Sequence, residues 1–75
     1  MSMKDFRKQR KMEFVKRGMM VFFAHNGKYG KIVRSNTSGN LDIKFDGDNH
    51  TTNCHPYFMM TYFDKNSSVI KSYGK

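Results

Sequence analysis

Its 75 residues include a single cysteine, a single proline, a single leucine and only six acidic side chains. Each shortage excludes something. Cys54 has no partner for an internal disulfide, whereas small secreted domains usually lean on several bridges. A reducing, cytoplasmic setting fits better, and no apolar stretch of the signal-peptide kind follows the charged N-terminus. The longest apolar run, Met19 to Ala24, is far shorter than the roughly 20 residues a membrane span needs, so no membrane partner is expected. Hydrophobic residues make up 37%, below the roughly 45–50% usual for globular chains. That composition and length suit one small domain without a large enclosed pocket.

Positive charge is abundant. Fourteen Lys and Arg leave a formal charge of +8, which attracts polyanions. Residues 1–17 carry +5 of it and residues 18–75 the remaining +3, so the composition changes near Gly18. Three regions follow: a basic N-terminal helix over 1–17, a β domain over 18–63 and a polar tail over 64–75. Within the first, residues 3–16 read as helical. Ser2 and Asp5 resemble a capping box, and Lys16 and Arg17 suit the C-terminal end of the helix dipole. Lys4, Arg7, Lys8 and Lys11 share a face by three- and four-residue spacing, with Arg10 beside it. Phe6 and Phe14 are the groups that would dock such a helix on the rest of the chain.

From Gly18 the pattern changes to short strands and tight turns. Met19–His25, Lys31–Ser35, Leu41–Asp46, Thr51–His55 and Tyr57–Phe63 are the expected strands. Asn26-Gly27, Thr37–Asn40 and Asp46–Asn49 are the turns, and Pro56 punctuates the last pair. Leu41, Ile43 and Phe45 alternate with charged neighbours, which assigns them to a core. The expected fold is mainly β with one N-terminal α-helix, a five-stranded antiparallel barrel. In the tail, Val69, Ile70 and Tyr73 are the only anchors.

Gly18, Val21, Gly27, Gly30, Ile32 and Val33 are spaced like a KOW-type motif: a glycine entry, a strand, a glycine-centred turn and a return strand. The chain from Gly18 to Phe63 thus resembles an SH3-like barrel, and it is also similar to small early proteins of tailed phages that carry this domain. The resemblance implies binding of RNA, DNA or protein, and a place in the host nucleoid or in interference with host transcription.

Five groups of residues carry chemical meaning. Lys4, Arg7, Lys8, Arg10, Lys11, Lys16 and Arg17 are suited to phosphates, which yields salt-sensitive, sequence-tolerant affinity; a solvated helix face is the usual alternative for a charge run, and the excess of one sign weighs against it. Lys28, Tyr29, Lys31 and Arg34 combine turn-borne charge with an aromatic ring able to stack on a base. His25, His50, Cys54 and His55 lack zinc spacing, and adjacent strand residues such as Cys54 and His55 point to opposite faces. Asp46-Gly47-Asp48-Asn49 lacks the distal glutamate of a calcium loop. Asp42 and Asp64 complete the set of acids in this half of the chain, and none has a partnered base, so no catalytic residues, metal or cofactor are assigned and an enzyme is not expected. Phe22, Phe58 and Met60 are candidates for a protein interface, including a homodimer. The expectation is low-specificity nucleic-acid binding, duplex DNA ahead of RNA. Its rival is an inhibitor or adaptor docking on an acidic host protein.

Overall fold

A computed structural model describes residues 2–74. Helix α1 runs Met3–Arg10, followed by β1 Met20–Phe23, β2 Lys28–Ser35, β3 Leu41–Phe45, β4 Thr51–Cys54, β5 Met60–Phe63 and β6 Val69–Tyr73. The fold is mainly β with one short helix, and every strand pair is antiparallel.

The helix is shorter than its sequence suggests. Ser2 Oγ accepts from the Asp5 amide at 3.1 Å, the forward half of the expected capping box. Lys11 then adopts φ 57°, and the Met12 amide donates to Arg7 O at 3.0 Å. The reason is packing. At 100° per residue a continuous helix would carry Met12 and Val15 about 150° away from Met3 and Phe6. Breaking the helix at Lys11 instead brings all four into one core with Val21, Ile32, Leu41, Ile43, Phe45, Met60 and Tyr62. The N-terminal arm therefore packs on the sheet rather than projecting from it.

The sheet has six strands in the order β4-β3-β2-β1-β5-β6, not five, and it does not close. The sixth strand arises from the tail, where Asp64 organises a turn and Thr61 Oγ1 meets Ser72 Oγ at 2.9 Å. It occupies the edge of β5 that a closed five-stranded barrel would have turned toward β4. Tyr73 anchors it against Tyr57 and Tyr62, while Val69 and Ile70 remain exposed. The molecule measures 28 × 26 × 24 Å, too even for a flat sheet, so the strands curl around the core.

Two glycines of the motif have different reasons. Gly27 has φ +69° and open space at its Cβ position, so it serves the turn after β1. Gly30 serves close approach: a Cβ there would lie 2.8 Å from Ile43 Cγ2 and from Lys44 O. The turn ends early, which pairs Phe22 with Tyr29 and Phe23 with Lys28. Lys28 and Tyr29 are thus strand residues, not turn residues. At the other end, Met59 has φ 52° and interrupts the strand expected over 57–63. That break resets the alternation, leaving Phe58 47% exposed and Met60 fully buried. Met60 is a core residue and not an interface residue.

Candidate functional site

The basic groups of the arm divide by face. Met3, Phe6, Arg7 and Arg10 lie on the inner side of α1, whereas Lys4 and Lys8, with Lys11 after them, are exposed. Arg7 Nε donates to Val15 O at 2.6 Å, which fixes the chain after the helix break. Arg10 Nε donates to Gly39 O at 2.9 Å, and its guanidinium lies 5.7 Å from the centre of the Tyr57 ring. Tyr57 Oη in turn donates to Arg10 O. Gly39 leaves room for this contact, since a Cβ there would come within 3.1 Å of Arg10 Nη2. Arg7 thus staples the helix to the segment that follows it, and Arg10 staples the helix to the β2–β3 turn and Tyr57.

On the strands, Lys28 Nζ lies 3.5 Å from Asp48 and Arg34 Nε lies 3.0 Å from Asp42. These are the ion pairs formed among the described residues. Among the described residues the other cations form no ion pair with a carboxylate, and four of them converge.

Lys16, Arg17, Lys31 and Lys65 surround an open groove of about 730 Å³ between the segment after the arm, β2 and the β5–β6 turn. Phe14, Met19, Met20, Phe63 and Ile70 supply its apolar lining. Each wall has a local cause. Gly18, at φ +80°, donates its amide to Ile32 O at 2.7 Å and so holds Lys16 and Arg17 beside β2. Lys31 faces outward because its strand neighbours Gly30 and Ile32 are buried. Among the described residues Asp64 is the single carboxylate in the lining, and its Oδ1 accepts from the Asn66 amide at 2.8 Å and the Ser68 amide at 3.0 Å. These bonds hold the carboxylate in the turn that carries Lys65, where it keeps its negative charge against the four cations. Lys31 also stands directly opposite Lys44 on β3, a like-charged pair that works against sheet stability.

The groove therefore joins Lys16, Arg17 and Lys31, all nominated by the sequence, with Lys65, Phe63 and Phe14, which were not. Lys44 was also missed. The signal for Lys65 lay in Asp64-Lys65-Asn66-Ser67, a turn sequence that returns the chain along β5; reading it as a polar tail concealed the return.

Cys54, Tyr62 and Tyr73, in or against the core, have displaced ionisation. Burial, reinforced by Asp42, pushes the Cys54 thiol up to about 11. Burial also raises the Tyr62 phenol far above its ordinary value, while its Oη donates to Pro56 O at 2.6 Å. Tyr73 is raised by burial and by Tyr57.

The histidines are dispersed. His25 lies beside Phe23 and Phe58, and His55 Nδ1 accepts from the Tyr57 amide at 3.1 Å. Among the described residues no three His, Cys, Asp or Glu side chains gather as a metal site. No helix among them is long and apolar enough to cross a membrane. Comparison with family models, curated proteins and solved structures finds no match.

Proposed function

We propose that the protein is a non-enzymatic, low-specificity nucleic-acid-binding module whose main contact surface is the basic groove and the adjoining outer face of β2. The observation that carries this reading is the convergence of Lys16, Arg17, Lys31 and Lys65 around one groove whose lone carboxylate is already hydrogen-bonded. Four cations around one groove make a local positive field that attracts a polyanion. Lys44, on the strand beside Lys31, extends the same field. Lys4, Lys8 and Lys11, exposed on the arm, add longer-range attraction. On the same reading, β1–β5 form an SH3-like barrel of the KOW type, to which β6 is added; the neighbouring order β4-β3-β2-β1-β5 supports it. A phage-encoded role at the host nucleoid or in host transcription, in the cytoplasm, remains part of the proposal by resemblance.

The second reading, docking on an acidic host protein, has its own observation: Tyr57 and Phe58 are 40% and 47% exposed, beside His55 and His25 respectively. Salt separates the two. Four phosphate contacts with a single strand give a log–log salt slope near −2.8, so affinity for a random-sequence oligonucleotide should fall roughly 50-fold between 50 and 200 mM salt. Capture of a protein from nuclease-treated lysate, at an affinity indifferent to salt, would favour docking through Phe58 instead.

A further inference from the structure

The outward face of the sheet carries more ring surface than phosphate binding requires. Tyr29 is 47% exposed on β2. Its ring centre lies 4.8 Å from that of Phe22 on β1 and 5.9 Å from that of Phe63 on β5. Three adjacent strands thus contribute one aromatic each, because β1 pairs with both β2 and β5. Phe63 also lines the basic groove, so rings and cations form one continuous surface. Lys31 follows Tyr29 by two residues on the same face, about 7 Å along the strand, with Lys44 opposite it.

A duplex has little use for such a platform. Its bases stack on one another and present edges and phosphates, leaving an exposed ring without a partner. An unpaired strand offers base faces, and stacking on aromatic side chains tolerates any sequence because every base has a π face. The hydroxyls in the same cross-strand row, Thr61 and Ser72, are hydrogen-bonded to each other. Contact on this face is then chiefly stacking and charge, which do not distinguish ribose from deoxyribose.

Resting on the polyanion reading above, we infer that the ligand is a single-stranded polynucleotide, with its phosphates along Lys31 and the groove and at least one unpaired base stacked on Tyr29. The expected preference is for single strands over duplex, with oligothymidylate and oligouridylate bound alike.

The test is anisotropy titration of the full chain with labelled oligothymidylate, oligouridylate and a duplex of about 15 nucleotides, within the range of single-strand site sizes. The single strands should bind about tenfold more tightly than the duplex at equal salt. Tyr29→Ala should lose about tenfold for single strands, keep its salt slope and leave duplex binding unchanged, while Tyr29→Phe should bind as the parent does. Because Tyr29 is exposed, both variants should retain the parent circular dichroism. Equal binding of duplex and single strands, or a Tyr29→Ala variant with undiminished single-strand affinity, would overturn the stacking inference while leaving the polyanion reading intact. Absence of binding to all three probes would overturn both.

Discussion

Two basic regions of this protein use their charge in opposite ways. In the arm, Arg7 and Arg10 direct their Nε–H groups at the backbone carbonyls of Val15 and Gly39, and the helix that carries them buries Met3 and Phe6. In the groove, Lys16, Arg17, Lys31 and Lys65 face open space around an apolar lining. Residues 1–17 carry most of the net charge in the sequence, yet Arg7 and Arg10 hold the fold together while Lys16 and Arg17 belong to the groove. Density of charge along a chain therefore does not locate the surface on which charge is available. Guanidinium groups suit the first use because Nε–H gives a directed hydrogen bond while the cation remains at the surface.

The largest expected effect comes from treating the arm as what its packing makes it, part of the core. Phe6→Ala should cost about 3–5 kcal/mol, a large share of the roughly 5–15 kcal/mol that holds a small domain together. Urea denaturation measures it; a change under about 0.5 kcal/mol would make the arm an appendage after all. Next in size is the groove. Combined Lys16→Gln and Lys31→Gln should weaken oligonucleotide binding about tenfold, whereas Lys4→Gln with Lys8→Gln should change it less than about threefold. The order of those two effects, read by anisotropy at low salt, distinguishes groove from arm.

A smaller effect sharpens the same contrast. Arg10→Lys keeps the charge but loses the Nε–H bond to Gly39 and the planar contact with Tyr57, so stability should fall by about 1 kcal/mol with binding unaltered. Arg17→Lys should leave stability unchanged. The smallest expected effect concerns pH. The Cys54 thiol is raised from 9.0 to about 11 in the folded chain, so the unfolded chain loses that proton first. Its contribution to stability is full below pH 9.0 and is lost as pH rises toward 11, with Tyr62 acting in the same direction. The urea midpoint should accordingly be lower at about pH 10.5 than at about pH 8, and alkylation of the native thiol should be slow at the lower value.

Much of the fold was legible because it depends on local patterns. Leu41, Ile43 and Phe45 alternate and are buried, Asn26-Gly27 turns, and the Ser2–Asp5 cap forms. What the sequence concealed depends on contacts between distant segments. The helix break at Lys11 exists because Met12 and Val15 must reach a core built from later strands. The positive φ at Met59, which buries Met60 while leaving Phe58 exposed as expected, interrupts a run with no glycine to announce it. The sixth strand was hidden by polar residues, since a strand packed chiefly through Tyr73 needs few apolar positions. Of the site, Lys16, Arg17, Lys31 and Tyr29 were nominated by charge and aromaticity alone. Phe63 and Lys65 required the β5–β6 return, and the staples at Arg7 and Arg10 required knowing where Val15 and Gly39 would lie.

The central claim is that the groove's cations, and not those exposed on the arm, meet the phosphates. Its most direct test is the salt dependence of oligothymidylate binding by the parent chain and by Lys16→Gln/Lys31→Gln. Removing two of four contacts should reduce the log–log slope from near −2.8 to about −1.4. An unchanged slope in that variant, together with a reduced one in Lys4→Gln/Lys8→Gln, would contradict the account and return the phosphates to the arm.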